Sequence, residues 1–426
     1  MGSIVTYSIL LALIAYGYKL FLFDAKEQEV HLYGTVTKGF EKVREAFRLN
    51  LAENWERGGG AFAVYYKGEL VVDLWGGYSD KESGRLWRED TMNIAFSTTK
   101  AVAALCIGKL VDEHLIDWDE PVVKYWPRFG RNGKENITVR MVMAHRSGLA
   151  FTNIPIDLDT AKNHQAIAKL FEEQEPNWPV GQATGYHAVT YGWLVDQLVR
   201  RTDLEKRSIG QYFKEEIADK HSIDFHIGLP TTETYRVARL KAPTKWQIFE
   251  EFLHAPENIN LPRFIKQILT GGMMMNVSHT VPWIQFVNEI TLNNPDLFLV
   301  EQAAVLGIGV ARDVATLFEK WRRGEIMSKK TVQSMISDYT TETDMVTGAT
   351  VPRGQGLMLQ RFKRNNSTYK LYGHAGYGGQ NAKVDFETEI SLAYMSNHLK
   401  IGLGDTARTY IRLIEALYDS VKEIQS

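Results

Sequence analysis

Ser97 and Lys100 stand three residues apart in IAFSTTKAVAALCIGKLVDE, at the head of a stretch whose Val102, Cys106, Leu110 and Val111 share one apolar side of a helix. At that spacing both side chains project from one face about a turn apart. A serine hydroxyl is a poor nucleophile until a base takes its proton, and an amine held close to it in a poorly solvated pocket can be that base. The free N–H groups of a helix start also suit a site where an oxyanion develops. Spacing does not single the pair out, since Ser97 is equally an ordinary N-cap residue. The pattern recurs at Ser367 and Lys370, but in a strand-like stretch where such residues point to opposite faces, so geometry discards the second copy.

The elements that must hold this pair come from both ends of the chain. Phe40, Val43, Phe47 and Leu51 recur at helical spacing and predict a helix over about 37–53, broken by Gly58-Gly59-Gly60. AFAVYYKGELVVDLWGG then reads as a hairpin turning at Lys67-Gly68. Ser97 follows on a helix predicted over Thr98 to His114. Far downstream, YKLYGHAGYGG, NAKVDFE and ISLAYMSN read as strands, and a closing helix is predicted from Asp405 to Glu423. Between them, about 115–318 is mostly helical. The expected fold is α/β (α+β): an antiparallel sheet built from both ends of the chain, flanked by terminal helices, with a large helical region inserted. No repeat, low-complexity tract or separating linker interrupts residues 30–426.

Composition narrows the chemistry. The 49 basic and 51 acidic residues among 426 leave no field to hold a polyanion, which argues against nucleic acid as a partner. One cysteine excludes an intramolecular disulfide and any multi-cysteine zinc site, and no H-x-H or H-E-x-x-H pattern occurs, so neither a metal nor another cofactor is expected. A G-x-S-x-G elbow is absent, which disfavours an α/β-hydrolase. Cys106, mid-helix on the apolar side, reads as core. Met273-Met274-Met275 reads as adaptable packing near a pocket rim.

The ordered motifs resemble those of the serine β-lactamase and penicillin-binding-protein-like hydrolases, especially their class C and esterase-like branch. The likeness spans about 40–397. It comprises Ser97 to Lys100 as SxxK, then LIDWDEPVVKYWPRF, ITVRMVMAHRSGL, WPVGQATGYHAVTYGWLVDQLVRR and GHAGYGG. Tyr186 falls where that branch has the tyrosine of Y-x-N, and His374-Ala375-Gly376 falls where the family has K-T-G and esterase-like members often carry H-x-G. The resemblance makes Ser97 the acylated nucleophile and Lys100 with Tyr186 the proton-handling pair. Which of the two is the base in each step stays open. A cationic Lys100 would pull the Tyr186 phenol down from its usual value near 10. The resemblance also places the N–H of Tyr377 beside that of Ser97 as an oxyanion hole, with His374 and Gly376 bordering the substrate, and makes AHRSGL, with His145 and Ser147, a structural loop.

Two positions depart from the family pattern. Ala188 replaces the Y-x-N asparagine and His374 the K-T-G lysine, which removes an amide donor and a fixed positive charge. Histidine carries charge only below about pH 6.5. The resemblance with these departures implies an uncharged or lipophilic ester, thioester or lactone as the small-molecule acyl substrate. The alternatives are a catalytically idle scaffold or assembly subunit, and a peptidase or penicillin-binding enzyme. Oligomeric state is left open.

Residues 1–25 form the remaining unit. Ile4–Phe23 is a nearly unbroken apolar run with Lys19 its only charge, and at ~1.5 Å per residue it is long enough to cross a bilayer core. It lacks a basic leader and an A-x-A site, so an uncleaved membrane anchor is expected rather than a cleaved signal that would release a secreted enzyme. Acidic Asp24, Glu27 and Glu29 after the run favour a catalytic domain that is lumenal or extracellular. Sequons at Asn136, Asn276, Asn365 and Asn366 would then be open to glycosylation.

Overall fold

The computed structural model describes residues 30–254, 272–286, 289–400 and 404–426. The expected membrane segment, 1–25, lies outside the described residues. Among the described residues no helix is long and apolar enough to cross a membrane.

Alternating apolar runs at both ends build one antiparallel sheet. Its strands are β1 (Leu32–Val36), β2 (Gly59–Tyr66), β3 (Glu69–Asp80), β4 (Arg85–Leu86), β8 (Met358–Arg364), β9 (Ser367–Ala375), β10 (Asn381–Asp385) and β11 (Ile390–Ser396). The order is β1-β3-β2-β11-β10-β9-β8, with β4 on β3, so the two ends of the chain meet where β2 pairs with β11. The predicted turn sits at Lys67 and Gly68, both at positive φ (52° and 91°), the geometry of a tight hairpin. A smaller sheet joins β5 (Asn93–Ile94), just ahead of Ser97, to β6 (Phe225–Ile227) and β7 (Gly307–Gly309) of the mostly helical middle.

Strand alternation divides the core between two faces. Phe62, Val64, Leu392 and Tyr394 pack under α1 (Glu41–Ala52) and α6 (Arg408–Gln425) with Phe47, Tyr410, Leu413 and Leu417. The opposite residues, Ala61, Ala63, Ala393 and Met395, face α2 (Thr99–Asp112), α3 (Thr190–Thr202) and α5 (Ala311–Arg323). The three alanines among them let α5 lie close to β2 and β11. Helix α5 runs through 318, the expected end of the inserted region, and belongs with the sheet it packs on. Helix α1 begins later than its periodicity predicts because Gly39, at φ 97°, turns the chain first. The methionine run starts the helix Met273–Thr280, with Met273 and Met274 against the core and Met275 exposed.

Candidate active site

Ser97 does not cap a helix. It sits in a single 3₁₀ turn, Phe96–Thr98, ahead of α2, whose N-cap position is Thr98. The turn is set by Phe96, a buried non-glycine residue at φ 47°, a conformation that costs energy and is held here by packing. The Phe96 ring is wedged against Tyr377 and Phe286, with centroids 5.7 and 5.8 Å away. The hydroxyl of Ser97 is thus left to face Lys100.

Lys100 is fully buried, with its Nζ 3.4 Å from Ser97 Oγ. The same nitrogen donates to the carbonyls of Ala188 (2.8 Å) and Ala304 (3.0 Å). Among the described residues no carboxylate pairs with it. Burial, and secondarily the cation of Arg353, hold its pKa well below the ordinary lysine value. The Ala304 carbonyl is fixed in turn, because Gln302 accepts from the Ala304 N–H (2.8 Å) and donates to the carbonyl of Val189 (3.0 Å). Gly192 on α3 makes room for that amide, since a Cβ there would lie 2.0 Å from Gln302 Oε1.

The structure brings Tyr186 to the same place. Its ring centroid is 4.8 Å from Lys100 Nζ, and its phenol is near enough to Ser97 for that hydroxyl to act on its pKa. Its pKa runs opposite to the expectation from sequence: burial pushes it up to about 12, and Ser97 and Arg353 only partly offset this. Lys100 is not among the groups that lower the phenol, and burial works against the charged form of both side chains.

Strand β9 closes the site. Thr98 Oγ1 donates to the carbonyl of His374 (3.3 Å), which ties the end of the strand to the Ser97 turn. Gly376 permits the close approach, as a Cβ there would lie 2.5 Å from Ala95 O and 2.8 Å from Gln380 Cβ. Tyr377 follows immediately. His374 is buried and donates from Nδ1 to the Ala375 carbonyl (2.6 Å), while Nε2 has no protein partner. Burial, then Lys100, holds it well below its ordinary pKa, so it supplies no charge at neutral pH.

Sequence reasoning missed Arg353 and Asp344. They form a buried ion pair, with the guanidinium carbon 5.1 Å from the centroid of the Tyr186 ring. They lie in an irregular segment before β8 where no periodicity marks them. Pro-Arg-Gly-Gln-Gly offered only a turn signal.

His145 and Ser147 form a structural network. His187 Nδ1–H donates to the Gly185 carbonyl (2.6 Å), and its Nε2 accepts from the Ser147 hydroxyl (2.7 Å) and the Leu149 N–H (3.1 Å). His145 Nδ1 accepts from the His187 N–H (3.1 Å), and its ring supports Tyr186 at 4.9 Å. Cys106 is buried core, its thiol pushed up by burial. Ser367 and Lys370 are exposed, and Lys370 pairs with Glu387 at 2.8 Å. Among the described residues no cluster of three metal-ligating side chains occurs.

This fold and its motifs define a class. The Beta-lactamase family model matches residues 47–416, and the chain belongs to that family as a serine hydrolase. Among relatives, the protein is 28% identical over 390 residues to the esterase/beta-lactamase LipL of Mycobacterium tuberculosis, covering 88% of this chain and 85% of that one. Among solved structures, a penicillin-binding protein homologue from Caulobacter crescentus is 30% identical with a TM-score of 0.76, covering 91% of this chain and 99% of that one. A family VIII carboxylesterase is 27% identical with a TM-score of 0.77 at the same coverage.

Proposed function

We propose that the protein hydrolyses an uncharged or lipophilic ester, thioester or lactone through an acyl-enzyme on Ser97. The observation that carries this reading is the setting of Lys100. A neutral amine has two N–H bonds and one lone pair; the carbonyls of Ala188 and Ala304 take both N–H bonds, which leaves the lone pair for the Ser97 proton. Lys100 is the base in acylation. It accepts the Ser97 proton as Oγ bonds to the substrate carbonyl carbon, and the oxyanion takes hydrogen bonds from the N–H groups of Ser97 and Tyr377. Collapse breaks the bond to the leaving group, which is reprotonated from the Lys100 ammonium through the neutral Tyr186 phenol. Water then repeats the cycle on the acyl carbon and frees Ser97. Ala188 and an uncharged His374 offer no fixed cation for a substrate carboxylate, and the relatives described as esterases agree with this substrate class.

A labelled fluorophosphonate tests the reading. Mass spectrometry should locate the adduct on Ser97, and Ser97→Ala should fold but not label. A folded wild-type protein that fails to label overturns the reading and favours an idle scaffold.

The apolar run Ile4–Phe23 supports, as part of the same proposal, an uncleaved anchor with the catalytic domain lumenal or outside. Resistance of the cell-expressed protein to carbonate extraction tests the anchor, and an endoglycosidase mobility shift tests the side of the membrane.

A further inference from the structure

The helix α4 (Lys245–His254) is folded inside out. Trp246, Phe249 and Leu253 recur at i, i+3 and i+7, which places them on one face, and they are 51, 45 and 52% exposed; Ile248, beside them, is 37% exposed. The inward side carries Glu250 and Glu251 instead. Both carboxylates pair with the buried Arg57, and Glu250 also approaches Arg408 at 3.6 Å. An amphipathic helix facing water arranges these faces the other way. The ion pairs fix α4 on the body with its apolar face outward, an exposure that marks an apolar contact surface.

The chain's own course says what that surface meets. Arg57, which holds α4, precedes Gly58, whose carbonyl takes the N–H of Tyr78; the neighbouring Gly77 donates to the carbonyl of His31 (2.8 Å). The chain therefore enters the sheet beside α4. The apolar run ends at Phe23, eight residues before His31, a reach of at most ~28 Å. A bilayer holding that run lies within reach of α4. The site is on this side too: Tyr377, whose ring packs on the Phe96 that sets the Ser97 turn, is near enough to Glu251 for that carboxylate to raise its phenol further, after burial.

We propose that α4 rests its Phe249 and Leu253 face on the surface of the lipid bilayer that holds residues 4–23, and so brings the Ser97 site close to lipophilic substrates. The docking rests on the anchor reading and needs no reaction at Ser97; its consequence for substrate rests on the proposed hydrolysis as well. Leu253→Cys in the full chain, carrying an environment-sensitive fluorophore, is reconstituted in phosphatidylcholine vesicles with and without doxyl-labelled lipid. The native thiol, Cys106, is fully buried and stays unlabelled. Doxyl lipid should quench the probe at 253 at least about twofold, as for an interfacial helix, and leave a probe at Ser367→Cys, on the β8–β9 turn, unchanged. Vesicle flotation reports the anchor separately, so protein that floats without quenching at 253 overturns docking while leaving the anchor intact. In the full chain with Phe249→Ser and Leu253→Ser, turnover of a vesicle-embedded long-chain ester should fall about tenfold relative to a soluble short-chain ester, the loss expected when apolar interfacial area is removed. An unchanged ratio overturns the proposal. So does loss of a dimer in light scattering, which would assign the face to a second copy of the chain.

Discussion

Arg353 lies over the ring of Tyr186, its guanidinium carbon 5.1 Å from the centroid, and its charge is met by the buried carboxylate of Asp344. The pair brings a cation behind Lys100 and Tyr186 together with its own counter-charge. After burial, that cation lowers the pKa of Lys100 and draws down the phenol of Tyr186. In the proposed reaction Arg353 therefore helps keep Lys100 a base.

Replacing Arg353 with Gln should raise the pKa of Lys100. The acid limb of kcat/KM, which reports the free base, then moves to higher pH. The variant also strands a buried carboxylate, at about 3–5 kcal/mol, and adding Asp344→Asn should recover part of that stability without restoring the limb. A pH–rate profile beside urea unfolding separates the two effects. A limb that does not move removes Arg353 from the mechanism.

Lys100→Met tests the base directly. Acylation by a soluble ester should fall on the order of 10²–10⁴, the usual worth of a positioned base. Stability should drop far less, by about 1–3 kcal/mol, for two carbonyls left without a donor. Equal loss in fluorophosphonate labelling and in the unfolding midpoint would make Lys100 a structural lysine.

Gly376→Ala forces a Cβ to within 2.5 Å of the Ala95 carbonyl and must push the end of β9 away from the Ser97 turn. Losing one oxyanion donor costs about 10²–10³ in kcat, and that is the expected fall, with Tyr186 and Lys100 untouched. Near-normal kcat in the folded variant would refute the placement of Tyr377 in the oxyanion hole.

Stability should fall in acid through buried histidines. Burial pulls His187 and His398 from 6.5 down to about 3, and lowers His145 and His374 well below 6.5 as well. Each binds a proton on unfolding before it does so in the folded state. Its stabilisation is complete above pH 6.5 and declines as pH falls toward the folded value, by about 1.4 kcal/mol per pH unit for each group. Urea midpoints at pH 7.5 and 5.5 check the sign, and a variant with His398→Gln should show a shallower decline.

What could be read from the sequence followed from local rules. Ser97 and Lys100 share a helix start, and the strands at both ends alternate strongly enough to announce themselves. The three residues of β7, Gly307-Ile308-Gly309, are too few to alternate. Arg353 reaches Tyr186 only through tertiary burial, which no spacing encodes. The rise in the Tyr186 pKa was illegible for the same reason: the residue types imply a neighbouring cation, whereas burial of the phenol is the larger effect.

The seam between β2 and β11 sets the order in which this enzyme can be made. Gly60 pairs with Ser396 and Tyr66 with Ile390, so more than 300 residues of chain separate the partners. At about 5–20 residues per second, a ribosome takes tens of seconds to supply the second strand after the first. Throughout that interval the β2–β3 hairpin carries an unpaired central edge rich in apolar residues, the kind of template on which chains aggregate. A message truncated before residue 390 therefore yields an edge that seeks a partner in other chains rather than a smaller hydrolase.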